Sequence, residues 1–380
     1  MLDIETIEAV PVSVRIEGGA RMAIGTPVKR EAVIVKVITK DGLVGFGESH
    51  HARSPAVIAQ IVNTTLKEIV LPGRAEDVVG IWSRIYEWQL RSHGMGAAVA
   101  IAMSGLDMAL WDIRAKAAGW PLHRLLGGGD RPIKAYAGGI SLGWQEPERL
   151  VDEVRALAQQ GYRAVKLRVG DSPERDIART RAVRNAFPPA SLAILVDANT
   201  GYSIDDVRVV MPAFAELGVG WLEKPFAPHD YRSYARAAKL GAVPLAAGEN
   251  HYTRFEFARV VQDGAIAILQ PDLSKTGGVT EGLRIAALAS AWKLPVCPHT
   301  STTGLNMAAT IQFLKSIENG GYFEADVAPD NPFRDRLTTR PPYTLQADGT
   351  VQMSQAPGIG VEIDEGFVKA HPFIPGRPYR

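Results

Sequence analysis

From about Pro132 the chain reads as eight short apolar runs. They lie at 133–137, 164–169, 193–196, 219–222, 243–246, 265–269, 294–297 and 321–323, with amphipathic stretches between them. Short uninterrupted apolar runs suit strands buried on both faces, and the stretches between are long enough for helices. Strict alternation calls for parallel pairing, because a parallel partner needs a crossover connection. Eight such units are the number that closes a barrel. Helix-start signals punctuate the stretches: Ser172 precedes Pro173, and Ser203 with Asp206 and Thr253 with Glu256 have capping-box spacing. Ahead of the barrel, 4–11 and 33–37 read as strands, Asp41-Gly42 as a hairpin turn, and 55–126 as helical. The expected organisation is an α+β unit over 1–130 and the barrel over 131–327. A segment rich in proline and glycine, 328–380, is expected to pack back on the first unit.

The residues that end the runs are chemically pointed. Run three ends in Asp197-Ala198-Asn199, run four in Glu223-Lys224-Pro225 and run five in Gly248-Glu249-Asn250. Run six ends in Gln270-Pro271-Asp272 and run seven in Pro298-His299-Thr300, while run eight leads into Glu324. From Asp197 to His299 the successive spacings are 26, 26, 23 and 27 residues, one β/α unit each. Strand C-termini of a barrel converge on one mouth, where catalysis sits. Asp197, Glu223 and Glu249 would then surround one point. A single acid at a strand end can cap a helix or pair with a surface lysine, but three in register would repel one another. A hard divalent cation resolves that repulsion, and an all-oxygen ligand set suits Mg²⁺.

Two further pairs belong to the same mouth. Asp272 and His299 end adjacent strands, and a carboxylate that accepts from one imidazole nitrogen fixes the tautomer of the other. Lys166 and Arg168 are two apart on one strand and therefore share a face. On the inner face both point at the proposed metal site.

Composition narrows the partners. Lys plus Arg is 42 and Asp plus Glu is 41, a net charge of +1 with no basic stripe. That argues against a nucleic-acid or membrane-surface protein. The apolar stretch 97–110 contains Asp107 and reads as a buried helix, not a membrane span. The N-terminus lacks a basic region followed by an apolar core, so no signal peptide is expected. Cys297 is the single cysteine. No internal disulfide can form, which fits a reducing, cytoplasmic setting, and the thiol reads as a small buried group.

The segment Ser104-Gly105-Leu106-Asp107-Met108-Ala109-Leu110-Trp111-Asp112, running on to Lys116 and out through Leu125-Leu126-Gly127, resembles the signature helix of the mandelate racemase/muconate lactonizing group of the enolase superfamily. Asp197-x-Asn199 and Glu223-x-Pro225 resemble its second signature, with departures at Val207 and Lys224, neither a ligand position. The resemblance implies a modified TIM barrel, (β/α)7β, under an α+β capping domain. It implies abstraction of the proton α to a carboxylate, with Mg²⁺ stabilising the enediolate. Asp197, Glu223 and Glu249 would bind the metal, and His299, oriented by Asp272, would be the base or acid. Lys166 would contact the substrate carboxylate, Glu324 would hydrogen-bond the enediolate, and Asn199 would contact substrate near the metal. Capping-domain loops at 15–30 and Ser49–Arg53 would cover the mouth, with His51 and Arg53 as substrate contacts and Ser92-His93-Gly94 as a weaker candidate. The group's members are commonly homo-oligomers, and the aromatic segment 82–88 could serve such a contact or simply the core.

One departure bears on the reaction. The group's strand motif is usually Lys-x-Lys, the second lysine acting as base on the opposite face. Here it is Lys166-Leu167-Arg168. A guanidinium is a poor proton acceptor at neutral pH. Two-base racemisation is therefore put in doubt and single-face chemistry on His299 is expected, with Arg168 orienting a substrate hydroxyl or carboxylate or serving as an unusual base. The expected activity is dehydration of an acid sugar (a hydroxy acid or aldarate) to a 2-keto acid. The alternatives are a racemase, epimerase or lactone cycloisomerase of the same group. Retention of His299, Asp272 and the three acids argues against a non-catalytic metal-binding module.

Overall fold

The computed structural model describes residues 2–94 and 96–380. Strands β1 (Ile4–Arg15), β2 (Lys29–Thr39) and β3 (Val44–Ser49) form an antiparallel sheet in that order. The Asp41-Gly42 turn joins the last two, with Gly42 at φ 88°, a left-handed position that costs glycine nothing. The helix Ala97–Ala117 lies across this sheet and is buried nearly all round. Close approach is what glycine provides here. A side chain at Gly47 of β3 would run into the carbonyl of Gly105 on the helix, so the two backbones touch. The helix's other face is bolted to the barrel helix Gly278–Ala291. Trp111 Nε1–H donates to Thr280 Oγ1 (2.9 Å), Thr280 N–H to Asp107 Oδ2 (2.9 Å), and Gly277 N–H to Ser104 Oγ (2.8 Å). The signature helix thus fixes the capping sheet over the barrel.

The barrel staves are β4 (Ile133–Gly138), β5 (Ala164–Arg168), β6 (Ala193–Asp197), β7 (Val219–Glu223), β8 (Leu245–Ala247) and β9 (Ile268–Leu269), all parallel and paired in sequence. The seventh run is reduced to Val296, which bridges Leu269 on one side and Gly320 on the other. β10 (Phe323–Asp326) then pairs with β4 and closes the ring. Helices follow the first seven staves, whereas the element directly after β10 is the single turn Pro332–Asp335. This is the (β/α)7β pattern.

Ser172 and Ser203 cap their helices as the spacing predicts, the latter in a reciprocal box with Asp206. Thr253 does not. It sits inside the helix Thr253–Asp263 with no capping bond from its hydroxyl, and Glu256 instead accepts from Tyr252 N–H at 2.7 Å. Thr253 has φ 58°, outside the extended backbone of a capping residue, and its Oγ1 is buried without a hydrogen-bond partner.

The last segment contacts both units. β11 (Thr344–Leu345) and β12 (Thr350–Gln352) form a hairpin that adds antiparallel to the start of β4. Beyond it, His371 O accepts from Ser13 N–H, and Arg380 and Thr26 exchange backbone bonds of 2.9 Å, which brings the chain end against the capping sheet.

Inside the barrel, period-two alternation stacks two layers. Tyr136, Ala164, Leu195, Trp221, Ala246 and Cys297 form one buried apolar cluster. Two residues further along, the same staves present Lys166, Asp197, Glu223 and His299. The apolar plug is therefore the floor on which the polar layer stands.

Candidate active site

The polar layer is a lattice of buried charges. Lys166, fully buried, reaches Glu324 at 2.8 Å, Glu223 at 3.0 Å and Asp197 at 3.7 Å. Arg168 donates to Asp197 Oδ2 and to the carbonyl of Gly139. Gln270 Nε2–H donates to Glu223 Oε2 (2.7 Å). Each acid is thus held by cations, and the electrostatics follow. Burial alone would raise the Asp197 carboxyl, but Lys224, Arg168 and Lys166 outweigh it and hold it below the ordinary range. At Glu249 burial would raise the carboxyl, but neighbouring His299, Lys224 and Lys275 outweigh it and hold it well below the ordinary range. Glu324, also buried, is drawn down to about 2 by Lys166, His299 and Arg168, so it accepts hydrogen bonds and does not donate them. Its partners include the N–H groups of Gly139 and Thr300, both at 3.2 Å. Glu223 goes the other way, pushed up by burial and by Asp197.

His299 is bracketed by two carboxylates. Its Nδ1–H donates to Asp272 Oδ2 at 2.7 Å, and its Nε2 stands 3.0 Å from Glu249 Oε2. The other Asp272 oxygen accepts from Ser274 N–H (2.8 Å), Ser274 Oγ–H (2.6 Å) and Asn306 Nδ2–H (3.2 Å). That carboxylate cannot rotate, so the imidazole it orients is fixed too. Burial would raise the Asp272 carboxyl, but His299 and Lys275 hold it down.

A cavity of about 520 Å³ opens between this layer and the capping unit. Its barrel wall includes Arg168, Asn199, Lys224, Glu249, Lys275 and His299. The capping wall carries Lys29, Arg30 and Glu31 from the start of β2, His50 to Arg53 from the turn after β3, and Tyr379 near the chain end. His50 N–H donates to Ser274 O at 2.9 Å, which ties that turn to the loop after β9. Both imidazoles accept through Nδ1 from their own turn, His50 from Ala52 N–H and His51 from Arg53 N–H at 3.0 Å. Burial, with Lys275, Arg53 and Lys29 nearby, lowers His51 to about 3, and it is neutral at pH 7. Its ring is then a neutral hydrogen-bonding group suited to a hydroxyl. Asn199 has φ 46°, and its side-chain Nδ2 is buried without a hydrogen-bond partner. Among the described lining residues, cations outnumber acids: Lys29, Arg30, Arg53, Arg168, Lys224 and Lys275 against Glu31 and Glu249.

Family models agree with this architecture along the chain. Residues 4–127 match the mandelate racemase/muconate lactonizing enzyme N-terminal domain, and 149–367 match the enolase C-terminal domain-like family. The chain belongs to the mandelate racemase/muconate lactonizing family of the enolase superfamily. It is 32% identical to D-galactarolactone cycloisomerase of Agrobacterium fabrum, covering 88% of this chain and 90% of that one. It is 31% identical to arabinonate dehydratase of Saccharolobus solfataricus, covering 90% of each. The crystal structure of an enolase-superfamily member from a Polaromonas species superposes with a TM-score of 0.97 at 49% identity over all of both chains. That of a racemase from Streptomyces coelicolor with bound magnesium gives 0.89 at 27% identity, covering 97% of this chain and 100% of that one.

As a family member the chain has features that its sequence places only roughly. Lys166 lies beneath the cavity, locked among acids, and is not part of the lining; Arg168 is. Sequence reasoning misses Lys275, whereas Lys29 and Arg30 fall at the end of the 15–30 stretch expected over the mouth. Lys275 stands three residues past Asp272, on the loop whose serine steers that acid, and this adjacency is the signal that could have found it. His93 is exposed, bonds to Ser92, and lies away from the cavity. Trp82 is buried against Tyr86 and the guanidinium groups of Arg254 and Arg284, whereas Trp88 is 71% exposed.

The departure at Lys224 matters more than its non-ligand position suggests. Its ammonium projects among the three triad acids, 2.6 Å from Glu249, 3.4 Å from Asp197 and 3.6 Å from Glu223. Among the described residues, no three His, Cys, Asp or Glu side chains are grouped closely enough to hold a metal ion as they stand. The donor chemistry still fits a hard cation, with three buried carboxylates on consecutive strand ends and only oxygen ligands. Val207, the other departure, is a buried core residue of the helix Ile204–Glu216.

Proposed function

We propose that the protein dehydrates a small anionic polyhydroxy acid, an acid sugar, to a 2-keto acid with Mg²⁺ as cofactor. The observation that carries this reading is the fixed Asp272–His299 pair facing a cation-rich cavity, opposite an arginine that cannot serve as a second base. Asp197, Glu223 and Glu249 would hold the Mg²⁺. When bound there it would supply Lewis-acid stabilisation of negative charge developing on the substrate carboxylate.

The chain's own groups do the rest. Nε2 of His299 takes the α-proton, with Asp272 holding the ring and stabilising its positive charge. Arg168, further raised above its ordinary range by Asp197 and Glu324 against the effect of burial, stays charged and adds fixed positive potential at the mouth. Lys166 holds Glu223 and Glu324 in place from within the same layer. Asn199 presents its unpartnered Nδ2–H₂ to the substrate, and His51 and Arg53 meet its hydroxyls from the capping side. The same imidazolium then returns its proton to the departing β-hydroxyl. Water leaves, and the resulting enol tautomerises to the ketone.

A cycloisomerase reading is favoured by one specific finding, the 32% identity to a lactone cycloisomerase. It shares the proton abstraction and differs in what departs from the β-carbon. The experiment is incubation with Mg²⁺ and a library of mono- and diacid sugars and their lactones, with 2-keto acids read as semicarbazones. Keto-acid formation from an open-chain sugar acid supports dehydration. Reaction of lactones alone would move the assignment to cycloisomerisation, and no turnover of any member would count against both.

A further inference from the structure

Lys224 is the one described side chain within ion-pair distance of all three triad acids. Lys166 reaches Asp197 and Glu223 but not Glu249, Lys275 reaches only Glu249, and Arg168 reaches only Asp197. The backbone puts it there. Lys224 follows the last residue of β7 at φ 43°, and its N–H donates to Ala246 O of β8 at 3.0 Å. A left-handed backbone is uncommon outside glycine, and this one turns a side chain back over the barrel mouth. The ammonium is buried, 2.6 Å from Glu249, 3.4 Å from Asp197 and 3.6 Å from Glu223.

We infer that Lys224 is the resident cation of the carboxylate triad, and that a divalent ion enters only as the Lys224 ammonium leaves. Mg²⁺ binds oxygen at about 2.0–2.1 Å. An ion so close to Asp197, Glu223 and Glu249 would fill the space the ammonium now occupies, and two cations cannot share it. The exit is open, because Lys224 also lines the cavity and its four-carbon stem can swing there. Metal affinity is then reduced by the fraction of time the site is free of the ammonium. The chain would behave as a member of its family that carries its own competitor for the metal.

This inference rests on the reading that the triad holds Mg²⁺. The test is calorimetric Mg²⁺ titration of the full chain as wild type, Lys224→Gln, Lys224→Met and Lys224→Arg, with melting curves for each. If the ammonium occupies the triad nine-tenths of the time, the neutral variants bind Mg²⁺ about tenfold more tightly than wild type. Lys224→Arg, which keeps the charge, stays close to wild type. Without metal the neutral variants melt lower, and Mg²⁺ raises their midpoints by more than it raises that of wild type. Equal affinity in wild type, Gln and Met variants overturns the inference and leaves the metal reading standing. No Mg²⁺ uptake by any of them overturns both. Should a neutral variant lose its cooperative melt, Lys224→Asn replaces it, since asparagine tolerates the left-handed backbone.

Discussion

Replacing Lys166 by methionine keeps the length of the stem and removes the ammonium that three acids share. In the native site Lys166 stands 2.8 Å from Glu324, 3.0 Å from Glu223 and 3.7 Å from Asp197, with every partner fully buried. At an effective dielectric of about 20, each contact contributes roughly 4–6 kcal/mol of gross Coulomb energy. Most of that is offset by the cost of taking the charges out of water. What remains after removing one partner of a buried ion pair is typically a loss of about 3–5 kcal/mol. Glu223 is the acid most exposed to the change, because burial and Asp197 already push its carboxyl up and Lys166 is its nearest counter-charge. Gln270 and Lys224 soften the loss at Glu223 but do not reach Glu324.

The pH dependence has a definite sign. The Lys166 ammonium is raised above its ordinary value by Glu223, Glu324 and Asp197 in spite of burial, so its stabilisation is fully present at neutral pH and is lost only at strongly alkaline pH. In the variant the stranded carboxyls can take up protons. The deficit against wild type should therefore be largest near pH 8 and shrink toward pH 5. Urea denaturation followed by circular dichroism at pH 8, 6.5 and 5 measures it. A deficit below about 1 kcal/mol at pH 8, or one that grows as pH falls, would refute the claim that Lys166 neutralises the acids beneath the cavity.

Asp272→Asn keeps an oxygen for Ser274 and Asn306 but offers His299 an amide, and turnover should fall by about 10²–10⁴ with the fold intact, read from kcat beside an unchanged melt. Asp107→Asn acts on stability. Burial raises the Asp107 carboxyl to about 7, so its ionisation costs nothing near pH 4, an increasing amount up to about pH 7, and a constant amount above that. The asparagine variant should be more stable at pH 8, by about 4 kcal/mol at most, and level with wild type near pH 4; a variant less stable at pH 8 would contradict this. Gly47→Ala would drive a methyl into the Gly105 carbonyl, where backbone must move. It should cost about 3 kcal/mol in denaturant, against a fraction of that for Gly42→Asn at the open turn.

Much of the site is legible in the sequence because the barrel converts sequence period into space. Each acid or histidine stands one β/α unit after the last, and Asp197, Glu223 and His299 stand two residues beyond the inward apolar side chains of Leu195, Trp221 and Cys297. Alternation along the stave does the rest. The seventh run keeps its chemistry although its stave is reduced to Val296, since one bridge on each side suffices to hold the ring closed. The features that sequence does not reveal depend on backbone angles or on distant segments. Lys224 looks peripheral in sequence because its position is not a ligand position; φ 43° is what swings its ammonium over the triad. Thr253 has capping-box spacing yet does not cap, also for want of the expected backbone angle. Lys29 and Arg30 fall in the stretch expected over the mouth, but they begin strand β2 and do not belong to a loop. Lys166 reads in sequence as facing the mouth, and the three-dimensional arrangement adds that its ammonium is buried among Asp197, Glu223 and Glu324.

The proposed chemistry stands or falls on His299 as the base that removes the proton α to a carboxylate. Its direct measurement is release of deuterium to water from an α-deuterated acid sugar that the enzyme turns over, comparing wild type with His299→Asn in the presence of Mg²⁺. The expected result is release by wild type and a fall of about 10² or more in the variant, with its melt unchanged. Release by His299→Asn at the wild-type rate would contradict it.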